Sequence, residues 1–149
     1  MSKETERAGL ALHFQTIAEP DLGELIAFPN QAFETPSDQF FVVFNIVDRG
    51  SVRRSLGYMK YTKRHFGTVQ IDMYTPKNEG TKKSRDLADK WEALYDTINV
   101  MLTDGECCVF QTPSSRALAT NEVRAANLDD NWDRYVFEAP FYRDQFVEK

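Results

Sequence analysis

Residues 66–98, FGTVQIDMYTPKNEGTKKSRDLADKWEALYDTI, combine two different hydrophobic periods separated by a turn. At first Val69, Ile71 and Met73 alternate with polar residues, and this period of two predicts a strand with one buried face. Residues 75–80, TPKNEG, predict a turn. Apolar residues then recur with the period of an amphipathic helix, at Leu87, Trp91, Leu94, Tyr95 and Ile98. The stretch therefore predicts a sheet with a helix packed on it.

Length and composition favour a single globular domain. The chain has 149 residues, of which 42% are hydrophobic and 13% aromatic, so we expect one domain over residues 1–149 with a substantial core. No apolar run approaches the roughly 20 residues that cross a bilayer. The first residues, MSKETERAGL, lack the apolar centre of a signal peptide. We therefore expect a protein made in a cytoplasm, with no membrane partner and with its two adjacent cysteines reduced.

The segments before the central strand predict one more helix and further strands. Residues 3–19 predict a helix with a narrow apolar stripe that stops at Pro20. A short strand is expected near residues 24–28. Residues 39–47, QFFVVFNIV, are apolar on both faces and predict a strand covered on both sides, with another chain as one possible cover. Residues 48–51 predict a hairpin turn, with residues 52–59 returning as the partner strand.

The segments after the second helix predict more strands. Residues 100–102 and 106–111 flank an Asp-Gly turn and predict a hairpin. Residues 113–130 leave two alternatives open, a strand near 117–124 or a loop. Alternation around Phe137 predicts a final strand, and Pro140, which has no N–H to donate, is expected at a sheet edge or past the last pair of that strand. Together the elements predict an α+β fold, an antiparallel or mixed β-sheet with two main helices packed mostly on one face.

Residue combinations that support catalysis or cofactor binding are missing from the sequence. His13 and His65 are the two histidines, and no short-spaced set of ligands predicts a metal site. The scattered glycines form neither a phosphate-binding loop nor a GxSxG elbow. Cys107 or Cys108 with His65, and Asp72 as a lone base, are catalytic alternatives for which structural roles are favoured. The sequence predicts a protein that is not an enzyme and holds no metal or cofactor.

Charge is distributed unevenly along the chain. The net charge is −5, yet residues 48–66 carry +5, so the remainder carries −10. The basic residues of this segment are Arg49, Arg53, Arg54, Lys60, Lys63 and Arg64. Aromatic residues between them make nucleic acid one possible partner, but the acidic total favours docking on an acidic protein surface. Lys82 and Lys83 begin the second helix, where the helix dipole disfavours cations, and this too favours an acidic neighbour.

Several short motifs, spread over most of the chain, resemble one family of proteins. They are Pro29-Asn30, Phe33-Glu34-Thr35-Pro36, YTKRHFG at 61–67, Tyr74-Thr75-Pro76 and PFYRD at 140–144. With these motifs the chain resembles the tail terminator, or tail completion, proteins of long-tailed bacteriophages and prophages. The resemblance extends from about residue 12 to residue 144, and residues 111–131 have no counterpart in it.

The resemblance implies a structural virion protein assembled in the host cytoplasm. Such proteins form a ring, usually of six subunits, on the head-proximal end of the tail tube. The ring ends tube polymerisation and offers the surface to which the head joins. The implied partners are further copies of the chain, the tail tube protein and the head–tail connector or neck protein. DNA passes through the ring without sequence-specific binding.

On this hypothesis we expect four groups of residues to contact a neighbouring subunit, the tube or a neck partner. The candidate interface residues are Asn30, Phe33, Glu34, Pro36, Arg49, Arg53, Arg54, Lys60, Lys63, Arg64, Lys82, Lys83, Phe141, Tyr142 and Arg143. Two alternatives stay open. One is another neck component, such as a head-side adaptor or stopper. The other is a small ligand-binding or enzymatic α+β domain with a cavity between sheet and helix, near Trp91, Tyr95, Tyr135 and Phe137.

Overall fold

The fold is a curled mixed sheet with two helices on one face. The structure, a computed structural model, describes residues 3–23, 25–29, 31–34, 36, 39–54, 59–76, 82–117 and 132–148. Its helices are α1 (Lys3–Leu22) and α2 (Lys82–Tyr95). Its strands are β1 (Ile26–Ala27), β2 (Phe41–Arg53), β3 (Lys60–Pro76), β4 (Asn99–Met101), β5 (Cys107–Phe110), β6 (Ser114–Ala117) and β7 (Trp132–Glu148). The predicted α+β class is confirmed.

The strand order places the two longest strands side by side in the middle. Within the described residues the order is β1-β2-β3-β7-β5-β4, with β6 also paired to β7. β1 runs parallel to β2 and every other pair is antiparallel. β3 and β7 pair along their entire 17-residue lengths. This pairing joins β7, the last strand, to β3.

The core lies between the helices and one face of the sheet, which we call the inner face. Val69, Ile71 and Met73 of β3 point into it, as their alternation predicts. Trp91 of α2 is completely buried and makes edge contacts with Phe14 of α1 and with the sheet, at ring-centroid distances of 5.2 and 5.9 Å. The aromatic residues therefore tie both helices to the sheet. Leu94, expected in the apolar stripe of α2, is instead 40% exposed.

The opposite face, the outer face, is covered at one end by the chain itself. Phe41 stacks on Tyr74 at 5.0 Å and meets Trp132 edge-on at 5.1 Å. Phe33, from the segment between β1 and β2, lies 5.8 Å from Phe41. The second cover of the apolar strand β2 at Phe41 is thus a segment of the same subunit, and another chain is not needed there.

Helix α1 continues through Pro20, so the predicted stop is wrong. A proline removes one N–H donor, and the helix keeps its remaining bonds for two more residues, which bury Leu22. The helix ends at Gly23, whose φ of 57° is the left-handed conformation that glycine adopts without strain. The Gly23 N–H donates to the Glu19 carbonyl at 2.9 Å, which is a common helix C-cap.

The predicted turn at residues 48–51 is also wrong, because these residues interrupt the register of one continuous strand. β2 runs on to Arg53, with a shift in its pairing to β3 between Asp48 and Ser51. Gly50, with a φ of 93°, lies at this bulge, where β2 has one residue more than β3. The strand that returns is β3 itself, and residues 55–58 between them lie outside the described part. Residues 118–131, where a strand or a loop was expected, lie outside it as well.

Pro140 lies inside the sheet instead of at its edge. Its carbonyl accepts from the Gln111 N–H at 2.9 Å, on the side of β7 away from β3. Because the N–H and C=O of one strand residue point the same way, the missing donor would have pointed to that side as well. There β5 pairs with residues 141–143 and β6 with residues 135–138, so Pro140 occupies the gap between the two partner strands.

Candidate interaction surface

A three-stranded extension of the sheet carries most of the basic residues singled out in the sequence. We call it the arm and define it as residues 51–54 of β2 and its end, 59–66 of β3 and its start, and 142–147 of β7. Its strands are paired throughout, Val52 with Arg64 and Arg64 with Asp144 among them. The arm is therefore a continuation of the main sheet.

The register sorts the arm's side chains onto two faces. Arg53 and Lys63 stand opposite each other on adjacent strands, and Gln145 stands beside Lys63 on the third strand. These positions continue the inner face, because they are in phase with Val69 and Ile71. Val52, Arg64, Tyr142 and their neighbours form the outer face. Strand alternation alone predicts this division once the register is known.

On the outer face of the arm, Arg64 and Asp144 form an ion pair. The Arg64 guanidinium binds the Asp144 carboxylate through two hydrogen bonds, 2.7 Å from Nε to Oδ1 and 2.9 Å from Nη2 to Oδ2. It also stacks 3.8 Å above the centre of the Tyr142 ring. These hydrogen bonds lower the pKa of Asp144 and raise the pKa of Arg64. Arg64 and Tyr142 thus contact each other and Asp144 within the subunit.

Exposed apolar side chains accompany this outer face. Phe146 is 64% exposed and Val52 is 48% exposed, and both lie on it. Met59, at the start of the arm's middle strand, is 55% exposed. Apolar side chains grouped on a charged extension are typical of a surface that contacts another protein. Phe146 was not among the candidate interface residues predicted from the sequence. Its alternation with Val147 along a strand could have indicated that the two side chains lie on opposite faces of the sheet.

On the inner face of the arm, Arg53 and Lys63 occupy opposite positions on adjacent strands. The Arg53 guanidinium lies 3.7 Å above the Tyr61 ring, and His65 Nε2 lies 2.8 Å from Gln145 Oε1. The side chains on this face are Ser51, Arg53, Tyr61, Lys63, His65, Arg143, Gln145 and Val147, and none of these eight is acidic.

Two candidate interface residues lie in the interior of the subunit. The aromatic ring of Phe141 is buried against Gly67 and Phe110 in the core. Arg143 is 1% exposed and is held by carboxylates from α1 and from the segment before β5. The sequence prediction that they meet a partner is contradicted by this burial, because neither side chain reaches the surface.

Other candidates lie on the surface but not together. Arg49 is exposed at the bulge, 3.5 Å from the Thr68 hydroxyl. Phe33 and Pro36 are half-buried and Glu34 is exposed, at the other end of the molecule's outer face near Phe41. Asn30 lies outside the described residues.

The two lysines at the start of α2 have neighbouring side chains within the subunit itself. Lys83 Nζ lies 4.7 Å from the centre of the Phe40 ring, so its position has an explanation within the chain. Lys82 is exposed and shares a shallow hollow with Lys83, Asp21 and Asp86. The helix dipole therefore gives no independent sign of an acidic partner at this place.

The catalytic alternatives find structural roles. Burial raises the pKa of the Cys108 thiol to about 12, so it stays protonated near neutral pH. Cys108 and His65 both pair with Arg143 on opposite sides of β7, which separates their backbones by about 10 Å, or two strand spacings. Asp72 accepts hydrogen bonds from Arg134 at 2.8 Å and Gln70 at 3.1 Å. Within the described part of the chain, no group of three or more potential ligands could hold a metal ion.

The residues proposed for a ligand cavity also belong to the core. Trp91, Tyr95 and Phe137 are fully buried, and the rings of Trp91 and Tyr95 each contact the Phe137 ring, at 5.9 and 5.7 Å. Tyr135 is half-buried and packs against the same cluster. Burial raises the pKa of the Tyr95 hydroxyl. Among the described residues, these side chains fill the place between sheet and helix where the cavity was expected.

The subunit is a small two-helix α+β domain with a charged, partly apolar extension of its sheet. Comparison with known proteins identifies the family. The family model described as phage tail terminator protein matches residues 7–128, most of the chain. The chain therefore belongs to the phage tail terminator family, a family of structural virion proteins that work with other tail and neck proteins. This match includes residues 111–128, for which the sequence showed no counterpart, and ends before the motif at 140–144.

Known structures support the same fold. Eight chains of solved structures match. One of them has a TM-score of 0.68 at 16% sequence identity, covering 100% of this chain and 99% of its own. At that identity the likeness concerns the fold alone. Comparison with curated proteins finds no match. Among the described helices, none is long and apolar enough to cross a membrane.

Proposed function

We propose that this protein forms a ring on the head-proximal end of the tail tube, ends tube polymerisation and provides the surface that joins the tail to the head. Family membership supports the tail location. The observation that carries the proposal is the arm, a paired sheet extension with exposed Val52 and Phe146. An extension of this kind adds little to the core of its own subunit and offers a large contact area to a neighbour.

A closed ring needs two different patches on each subunit, because each copy contacts one neighbour through each patch. The arm and the segment around Phe33 and Glu34 lie at separate places and meet this requirement. The proposed partners are further copies of the chain, usually five, together with the tube protein and a connector or neck protein. The DNA passes through the ring without base-specific contact.

Light scattering over a concentration series, followed by negative-stain images of the same sample, tests the proposal. Closed rings of about six subunits support it, as do rings that form only when tail tubes are added. A protein that stays monomeric and ignores added tubes contradicts it.

A charge-reversal variant tests the part played by the arm. We expect Arg53→Glu, Arg54→Glu and Lys63→Glu together to reduce tail-end binding and virion yield, because they change the charge of the arm by six units. Unchanged binding and yield would exclude the arm from the contact with tube or neighbour. Lys90→Glu, on the surface of α2, is a single-charge control away from the arm.

A further inference from the structure

One edge of the sheet ends at β4, which has no further strand beside it among the described strands. The Leu102 N–H donates to the Glu106 carbonyl at 2.8 Å, on the side of β5. Because backbone groups alternate in direction along a strand, the N–H and C=O of Asn99 and of Met101 point the other way, to the open edge. This edge therefore offers two donors and two acceptors to an added strand.

Exposed apolar side chains lie on both sides of the open edge. Met101 is 68% exposed and lies on the outer face. Leu12 is 65% exposed and lies on the side of α1 that is turned toward the end of β4. They are the two most exposed large apolar side chains in the described part of the chain. Since side chains of a strand point alternately to its two faces, a strand added here would contact both.

A hollow of about 280 Å³ lies between α1 and the end of β4. Ala8 and Leu12 of α1 and Thr103 are among its lining residues. Gly9 allows the helix to approach closely at this point, because a Cβ on it would stand 2.6 Å from Leu102 Cδ2. An apolar cavity of about 150 Å³ holds a benzene molecule, so the hollow has room for one apolar side chain of a strand bound at the edge.

The opposite edge of the sheet, on β2 beyond β1, is closed by the chain itself. The Ile46 N–H points away from β3, as the Val42 N–H does, and Asn45 Oδ1 accepts it at 3.0 Å. Farther along, Asp48 Oδ1 accepts the Gly50 N–H at 2.9 Å within the bulge. A bulge is one device that keeps an edge strand from pairing with another chain. β4 contains no bulge, proline or charged residue.

Charge at the two ends of β4 selects among partners. Asp96 and Asp104 are exposed there, and residues 96–106 include no lysine or arginine. If β4 of two copies paired antiparallel about Val100, Asp96 of one copy would approach Asp104 of the other at both ends, and like charges disfavour this arrangement. The edge is therefore better suited to an extended segment of another protein, with an apolar side chain and basic flanks.

We propose that the open edge of β4 and the adjoining hollow bind an extended segment of the tail tube protein as an added strand. Strand addition gains affinity from main-chain hydrogen bonds and specificity from pockets for alternate side chains. A polymer grows when every subunit both receives and offers the same contact. This chain receives a strand at β4, while its opposite edge is closed at Ile46 and Gly50, so growth ends. The inference rests on the proposed function and gives a mechanism for ending the tube.

Two substitutions at one position test the main-chain pairing. Met101→Pro removes the outward N–H, which makes no bond to β5, and proline is tolerated at such an edge position. Met101→Ala removes the same side chain and keeps the N–H, so it is the matched control. In cosedimentation with tail tubes assembled without this protein, we expect Met101→Pro to bind about tenfold or more weakly than Met101→Ala. Unfolding transitions of both variants show whether the fold is kept.

A substitution in the hollow tests the side-chain contact. Leu12→Glu should weaken tube binding about tenfold or more, because the bound strand would bury the new charge. Gln15→Glu adds the same charge to the exposed surface of α1 outside the hollow and should leave tube binding unchanged.

Hydrogen exchange of the original protein, free and bound to tubes, needs no variant. On tubes we expect new protection in the peptide that contains residues 98–102, at the amides of Asn99 and Met101, since these N–H groups would donate to the added strand. The same measurement on concentrated free protein and on filled heads shows whether another partner protects this edge.

The outcomes separate this inference from the proposed function. Equal tube binding by Met101→Pro and Met101→Ala, or no new protection at residues 98–102 on tubes, overturns strand addition and leaves the tail role intact. Protection in concentrated free protein alone, or on filled heads alone, assigns the edge to a second copy or to the neck and overturns the tube protein as its occupant. An original protein that ignores tubes contradicts the proposed function and this inference together.

Discussion

Arg143 Nε lies 2.6 Å from Glu6 Oε2, joining the last strand to the first helix across 137 positions of sequence. Arg143 Nη1 also donates to Glu106 Oε1 at 2.7 Å, next to the start of β5. The guanidinium is almost fully buried, and burial by itself lowers its pKa, but the hydrogen bonds and charges of the two carboxylates outweigh this and raise the pKa. One side chain thus fixes α1, β5 and β7 together at the base of the arm.

We predict that Arg143→Met lowers the free energy of unfolding by about 3–5 kcal/mol, because it leaves two carboxylates near the interior without a partner. Urea denaturation measures the change. Arg64→Met is the control, since it breaks the more exposed pair with Asp144 and should cost about 0–1 kcal/mol. Equal losses of unfolding free energy in the two variants would show that the buried network of Arg143 contributes no more to stability than the more exposed pair. Adding Glu6→Gln and Glu106→Gln to Arg143→Met should recover part of the loss.

Gly67 leaves room for a core ring, and we predict that Gly67→Ala is destabilising by about 1–3 kcal/mol. A Cβ at this position would stand 2.6 Å from Cζ of Phe141, closer than such atoms approach. A double-mutant cycle with Phe141→Leu checks the cause. The alanine should cost less in the leucine background, because the smaller side chain removes the clash. If Gly67→Ala costs the same free energy in both backgrounds, a clash with Phe141 is not the cause of the destabilisation.

His13 should make stability depend on pH below neutrality. Burial lowers the pKa of His13, and its Nδ1 lies 3.3 Å from the Tyr95 hydroxyl. When the pH falls below the unfolded value of about 6.5, the unfolded chain takes up a proton that the folded chain resists. The contribution of His13 is therefore complete above that pH and is lost as the pH falls through the window between the unfolded and folded pKa values.

Unfolding free energies of the original protein and of His13→Gln, measured from pH 7.5 to pH 5, test this. The unfolding free energy of the original protein minus that of His13→Gln should decrease as the pH falls, since glutamine does not titrate and all other groups are shared. A difference independent of pH would mean that His13 takes up its proton equally in both states.

Cys107 and Cys108 should react very differently in the folded protein. The Cys108 thiol is completely buried and burial raises its pKa to about 12, whereas Cys107 is half-exposed. Iodoacetamide at pH 8 should modify Cys107 and leave Cys108 intact, because the thiolate is the reacting form. Peptide mass spectrometry identifies the site, and the same reaction in urea should modify both. Rapid labelling of Cys108 without denaturant would require that β5 opens.

Local patterns determined much of this structure from the sequence alone. The alternation of Val69, Ile71 and Met73 and the helical period of Leu87, Trp91 and Tyr95 describe β3 and α2 correctly, since a period follows directly from backbone geometry. The α+β class and the tail terminator family could also be read from it. The turn before β5 and the short strand β1 lie where turn residues and apolar residues predict them.

What depends on distant contacts could be decided only by the tertiary structure. Pro140 lies inside the sheet because two other strands end on either side of it, and Arg143 is buried because Glu6 and Glu106 reach it from elsewhere in the chain. The register of β3 against its neighbours places Arg53 and Lys63 on one face and Arg64 on the other. Composition reveals the excess of positive charge between residues 48 and 66. A shift of one residue in the strand pairing would move each of these side chains to the opposite face of the sheet, so the face on which each charge lies is decided by the register.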